Sequence, residues 1–304
     1  MRWRNNRQSN NVEDRRGMSS PRMGGSGGGG LLRLLPMAFR LLGFKGTVIA
    51  VIGLLGYGYF TGDLSQLLGG ATLSGAQTAP STQVVKQTNE EKELAKFVSV
   101  ILADTEDTWG LLFKNMGKQY QQPRLVLFRK AVKTACGMGS AQMGPFYCPG
   151  DQKVYIDLNF YDDLKNRHGA PGDFAQAYVI AHEIGHHVQT ITGISAKVQQ
   201  AKENQSQKVA NSLSVKQELQ ADCYAGIWAH HANRSRQILE SGDIEEGLTA
   251  ASAIGDDRLQ KQAKGYVTPD SFTHGSSQQR VKWFKTGLEK GTLQACDTFS
   301  TKSL

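Results

Sequence analysis

Apolar positions between residues 174 and 191 fall at Phe174, Ala177, Tyr178, Ala181, Ile184, Val188 and Ile191, close to the i, i+3, i+4, i+7 rhythm of an amphipathic helix. Asp173 and Gln176 form a start signal for it, and Gly193 a stop. A second helical rhythm runs from Ala95 to Met116 through Phe97, Ile101, Trp109, Leu112 and Phe113, with a break expected at Gly110. A third covers SVKQELQADCYAGIWAHHA, opened by a capping box of Ser214 and Gln217. The stretch from Ile194 to Asn211 reads as polar helix, and Asn233–Gly265 as further helix with a turn at Gly242-Asp243. Leu125–Phe128 and Val154–Leu158 have strand character and bracket a Gly-rich loop from Cys136 to Cys148. Tyr161–Arg167 reads as a short helix, followed by a turn at residues 169–172. The pattern predicts an α+β domain, predominantly helical with a small sheet, over residues 93–304.

The N-terminal third reads differently. Residues 1–62 carry nine Lys/Arg and two acidic residues, whereas the remaining 242 carry 26 and 25. The net charge of +8 therefore belongs to the N-terminus, and a nucleic-acid partner, which needs a basic patch on a recognisable module, is not expected. Residues 1–42 read as a flexible basic tail with too little apolar content to fold, Trp3 being a lone aromatic without an assigned role. Residues 43–62 include GTVIAVIGLLGYGYF and read as one transmembrane helix, with Lys45 or residues 41–44 extending a short apolar core. The arginines before it, from Arg2 to Arg40, place the N-terminus in the cytoplasm by the positive-inside rule. The expected arrangement is a single-pass protein of the bacterial inner membrane, its lipid partner engaged through that helix and its C-terminal domain periplasmic or otherwise extracytoplasmic. A cleaved signal peptide, with Gly69-Gly70-Ala71 as cleavage site, is the rival, although its charged region would be unusually long. Residues 63–92, rich in Gly, Ser, Thr and Gln, read as a linker.

The helix at 174–191 contains His182-Glu183-Ile184-Gly185-His186, an H-E-x-x-H pattern. His182 and His186 lie one turn apart on one face and can reach the same ion, while Glu183 can reach a metal-activated water without ligating. Two ligands do not hold a catalytic zinc, and Glu218, on the third helix, supplies a third that leaves a fourth position for water. Asp222, four residues on, can accept a hydrogen bond from the second nitrogen of a ligand histidine. Further along, His274 and Arg280 offer hydrogen bonds and positive charge for the oxyanion that forms when water attacks a peptide carbonyl. His187 lies on the wrong face for a ligand and reads as a group supporting the site or a core polar group, His230 and His231 as structural or surface groups, and His168 has no assigned partner. Val154–Leu158 is the candidate edge on which an extended peptide substrate would pair, an ordinary sheet strand being the alternative.

Together these pieces carry a resemblance. H-E-x-G-H, then E-x-x-A-D, then T-H-G-S-S-x-x-R is similar to the gluzincin order of motifs, the last piece resembling the T-H-P-x-x-x-x-R element of membrane-linked HtpX-type peptidases. The MRWR start, NVEDRRG, GPFYCPGDQKVYIDLNFYDDL, AASAIGDDRLQ and VTPDSFTHGSS resemble the bacterial putative neutral zinc metallopeptidase family (YpfJ type) over nearly the whole chain. The resemblance implies a zincin fold outside the cytoplasm behind one membrane helix, one Zn2+ held by His182, His186 and Glu218, and Glu183 as base. It departs at Gly275, where the HtpX-type element has proline. The expected activity is zinc-dependent endopeptidase hydrolysis of a peptide or protein. The alternative is a tethered zinc-binding protein that holds peptides or a partner without cutting them.

Four cysteines in a domain expected outside the cytoplasm allow two disulfides in three connectivities. Cys136–Cys148, clamping the Gly-rich loop, and Cys223–Cys296, tying the Glu218 helix to the tail, are the expected pairs. A metal site for these cysteines is disfavoured, because no C-x-x-C spacing occurs.

Overall fold

The computed structural model describes residues 1–18, 87–301 and 304. Two hydrophobic sequence patterns build its centre. Strands β1 (Val12–Asp14), β2 (Arg124–Phe128), β5 (Phe146–Cys148) and β6 (Lys153–Asp157) form a sheet in the order β1-β2-β6-β5. β1, β2 and β6 run parallel, with Val12 opposite Leu125 and Leu125 opposite Val154, and β5 is antiparallel to β6 with Phe146 opposite Tyr155. β2 and β6 show no polar alternation because both faces are covered. Leu125, Leu127, Val154 and Ile156 join the main core, while Val126, Phe128 and Tyr155 form a second cluster with Val132 and Phe146. The Gly-rich segment is itself ordered: β3 (Ala131–Thr134) and β4 (Gly137–Ser140) make a hairpin beside the sheet.

Among the described residues eight α-helices pack on and around this sheet: α1 (Asn89–Asn115), α2 (Asn159–Asn166), α3 (Asp173–Ile191), α4 (Ile194–Lys202), α5 (Gln207–Arg236), α6 (Asp243–Ala253), α7 (Asp256–Lys264) and α8 (Ser277–Lys290). The α+β reading stands. α1 starts at a reciprocal capping box of Thr88 and Glu91, four residues before the expected domain start. It runs unbroken through Gly110, because one glycine costs a helix only about 1 kcal/mol and Trp109 and Phe113 beside it are buried. Asp104 of α1 accepts from Trp228 Nε1 at 2.7 Å and pairs with Arg236, tying α1 to α5. The capping box expected at Ser214 does not form. α5 starts at Gln207 behind Ser206, and the Ser214 hydroxyl instead donates to the Ala210 carbonyl one turn back. α3 begins where expected, yet its first free amide, Phe174 N–H, is satisfied from another helix by Glu246 at 3.1 Å.

Residues 1–18 are not a free tail. β1 extends the sheet, Trp3 is buried edge-on against Phe97 at 5.2 Å, and the Met1 amine lies 2.9 Å from Asp173 and 3.3 Å from Asp243. Glu106 of α1 is 3 % exposed, and Arg7, Ser9 and Asn11 all donate to its carboxylate. A buried charge without such partners is strongly destabilising, so this segment belongs to the fold. The packing corrects the reading of 1–42 as an unfolded tail at its first 18 residues. It also bears on topology: one folded unit contains described residues from before and from after residues 43–62, and a single crossing there would put them on opposite sides. The segments read as transmembrane helix and as linker up to residue 86 lie outside the described residues. Among the described residues no helix is long and apolar enough to cross a membrane.

Candidate metal centre

α3 presents His182 and His186 one turn apart, their ring centroids 4.8 Å from each other. α5 brings Glu218 to both: its Oε2 is 3.2 Å from His182 Nε2 and 3.4 Å from His186 Nε2. This convergence depends on a close helix crossing. A Cβ at Gly185 would stand 2.9 Å from the Ala221 carbonyl oxygen and 3.0 Å from its Cα, so only glycine lets α3 approach α5 this far.

The second nitrogen of each histidine is engaged. His182 Nδ1 lies 2.8 Å from Asp222 Oδ1, and His186 Nδ1 lies 2.9 Å from Gln189 Oε1. Each acceptor is pinned in turn. Arg280 donates to both Asp222 oxygens at 2.8 Å, and the Tyr178 hydroxyl donates to Oδ1 at 2.5 Å. Gln189, fully buried, donates to the Gln217 carbonyl at 2.7 Å and to Gln220 at 3.1 Å. A second close crossing packs α8, which carries Arg280, against α5: Cβ atoms at Gly226 and Gly287 would penetrate the facing backbone of α8 and α5. With both Nδ1 atoms committed, both Nε2 atoms and one carboxylate oxygen face a common point. Two imidazoles and a carboxylate suit zinc, so the residues present fit that ion.

The electrostatics follow from this network. Burial would raise the Asp222 carboxyl, but Arg280 and His182 outweigh it and hold it at about 2. Burial disfavours charge on His182, yet Asp222 and Glu218 push it up to about 10. Against its own burial, Glu218 is held well below the usual carboxylate range by His186 and His182. These are the charge preferences of the side chains alone; a bound cation would displace the imidazole protons.

Glu183 is 7 % exposed, and its carboxylate makes no hydrogen bond or ion pair with any described residue. It lines a cleft of about 980 Å³ together with His182, His186, Glu218, His274 and Arg280. A buried acid with open acceptor positions beside three converging ligands is placed to take a hydrogen bond from water. His274 enters this cleft from the loop before α8, half-exposed. Arg280, considered above for the oxyanion, is buried and spent on Asp222, Tyr178 and the Ile254 carbonyl. A smaller cavity of about 700 Å³, lined from α5, α8 and residues 269–272, contains none of these groups.

The remaining expectations sort by position. β6 lies between β2 and β5 with both edges paired, which rules out Val154–Leu158 as a substrate edge. The edge strand beside the cleft is β5, whose Phe146 and Tyr147 line it. His187 is fully buried on the far side of α3, donating from Nε2 to the Gln121 carbonyl at 2.6 Å and accepting the Tyr147 hydroxyl at Nδ1. Burial pushes it down to about 4, so it stays neutral and fixes β5 against α3. His230 and His231 bond the Leu288 and Gly291 carbonyls, and His168 lines the cleft margin. Both disulfides take the favoured pairing, with Cα separations of 5.8 Å for Cys136–Cys148 and 5.7 Å for Cys223–Cys296. Gln189 was not anticipated. Its only signal is a position three residues after His186 on the same helix.

The family described as "Putative neutral zinc metallopeptidase" matches residues 1–299. The chain belongs to this family. It is similar to the uncharacterized protein YpfJ of Escherichia coli K12, 54 % identical over 300 residues that cover 98 % of this chain and 99 % of the relative. Uncharacterized protein Rv2575 of Mycobacterium tuberculosis is 41 % identical over 219 residues, 69 % of this chain and 73 % of the relative. No solved structure matches.

Proposed function

We propose that the protein is a zinc-dependent endopeptidase. The observation that carries this reading is the meeting of His182, His186 and Glu218 beside an unpartnered, buried Glu183 in an open cleft. One zinc per chain would be held by the first three. Bound there, it supplies Lewis-acid polarisation of the scissile carbonyl and lowers the pKa of water from 15.7 to about 7. The protein's own groups do the rest. Glu183 accepts the proton of the attacking water and returns it to the leaving amine, a role worth about 10²–10⁴-fold. His274 donates to the carbonyl oxygen as charge develops on it. Asp222 and Gln189 keep both ligand histidines in the orientation that faces the metal. The β5 edge binds the substrate as an added extended strand, Phe146 giving that side of the cleft an apolar lining.

We place the domain in an oxidising, extracytoplasmic compartment, which the two disulfides favour. Residues 43–62 attach it to the bilayer; because residues 1–18 share the domain's fold, this attachment leaves both flanks on one side. The direct test is Glu183→Gln. Loss of casein cleavage by at least about 10²-fold with zinc retained supports hydrolysis; unchanged cleavage refutes Glu183 as base. Zinc binding without cleavage in the wild type would favour the non-hydrolytic alternative.

A further inference from the structure

We propose that Asp256 is a positioning residue for this site: it organises the loop 273–275 and aims His274 into the metal cleft. The proposal rests on the peptidase reading and deepens it. Asp256 opens α7 and is 8 % exposed. One of its oxygens, Oδ2, accepts three successive backbone amides, Thr273 at 2.7 Å, His274 at 2.6 Å and Gly275 at 3.1 Å. The other, Oδ1, lies 3.3 Å from His274 Nδ1, and the Asp256 amide donates to the Gly275 carbonyl at 2.9 Å. Asp257 holds the next turn, accepting the Ser277 amide at 2.7 Å and hydroxyl at 2.8 Å. Gly255 permits the approach, since a Cβ there would lie 2.4 Å from the Ser277 nitrogen.

This arrangement accounts for Gly275. Its φ of +94° is open to glycine and closed to proline, whose ring fixes φ near −65°. Where the HtpX-type element has a proline, this chain has a left-handed glycine beside a buried carboxylate. The consequence reaches the imidazole. With Nδ1 shared between Asp256 and the Thr273 hydroxyl, which lies 3.1 Å away, Nε2 is left for the cleft that His274 shares with Glu183 and Glu218. The same hydrogen bond raises His274 above the ordinary histidine value against its burial, which favours the form that donates from both nitrogens.

The test uses the full-length zinc-loaded protein with dye-quenched casein as probe, comparing Asp256→Ala, Asp256→Asn, His274→Ala and the Asp256→Ala/His274→Ala pair. The expected result is a fall in kcat of about 10²-fold for His274→Ala and a similar fall for Asp256→Ala. KM and zinc content stay unchanged, and the double variant is no worse than His274→Ala. Asp256→Asn keeps an acceptor for the amides but not the charge, so the alkaline limb of its pH profile moves to lower pH. Wild-type turnover in Asp256→Ala beside an impaired His274→Ala overturns the proposal. If Asp256→Ala loses zinc or unfolds, Asp256→Asn decides, and a wild-type pH profile there overturns it as well. Histidine side-chain NMR reads the same link without catalysis. A His274 resonance that titrates at lower pH in Asp256→Asn supports the contact even where casein is not cut, and an unmoved titration refutes it. Absence of cleavage by the wild type, by contrast, counts against the peptidase reading.

Discussion

At the residue scale, the two ligand histidines are held by different partners, His182 by Asp222 and His186 by Gln189. His182, Glu183 and His186 could be read because a four-residue spacing on a helix fixes their mutual geometry. Glu218 and Asp222 could be paired for the same reason. Gln189 and Asp256 could not, because each acts through a contact that a one-dimensional spacing does not encode: a second-nitrogen hydrogen bond, and three amides converging from 17 to 19 residues away. His187 makes the complementary point. It adjoins a ligand, yet its ring serves packing, and this gives a pH signature. Its pKa is about 4 in the fold against 6.5 for an ordinary histidine, so the unfolded chain binds its proton first as pH falls. Stability is therefore full above pH 6.5 and is lost progressively toward pH 4, by about 3 kcal/mol for a shift of this size. His187→Gln keeps one donor and one acceptor without titrating, so urea unfolding of this variant should show that slope flattened between pH 4 and 6.5. An identical slope in variant and wild type would remove His187 as its source.

At the element scale, periodicity located the helices, and close crossings fixed where they meet. The rhythm of α3 and α5 was visible; that Gly185 sets their separation was not, since a glycine inside a helix has the same local appearance whether it faces solvent or backbone. Two substitutions separate the cases. Gly185→Ala pushes a methyl into Ala221 and should cost about 1–3 kcal/mol and weaken zinc binding. Gly110→Ala meets nothing within 4 Å and should stabilise by up to about 1 kcal/mol with zinc binding unchanged. Equal effects in urea unfolding and zinc titration would contradict the crossing argument. The misplaced helix start at Ser214 has a related cause: a capping box shows where a helix can begin, and here residues 207–213 already supply the preceding turns. The substrate edge was misassigned to β6 because strand order depends on pairing, and β5 is only three residues long.

At the scale of the whole molecule, the N-terminal segment is where composition misled. Residues 1–18 lack the apolar content to fold alone, but they do not fold alone. They complete a sheet and neutralise Glu106, nearly a hundred residues distant. Composition measures what a segment can bury by itself, not what it adds to an existing surface. The contact can be trapped: the Ser9 amide donates to the Ser99 carbonyl at 3.0 Å, and the Ser99 hydroxyl to the Ser9 carbonyl at 3.1 Å. An Arg7→Cys/Asp107→Cys pair in the full chain, at half-exposed positions ion-paired at 2.7 Å across the same contact, should cross-link with a short bis-maleimide, and both thiols should react with an impermeant reagent from the same side of the membrane. Labelling from opposite sides would restore the single crossing and undo the docked segment.

The central claim is that His182, His186 and Glu218 form one zinc site. Zinc content of the purified full-length protein, wild type beside Glu218→Ala, tests it most directly. One zinc per chain, lost or much weakened in the variant while the fold is retained, is the predicted result. No zinc in the wild type, or zinc unaffected by the substitution, would contradict it.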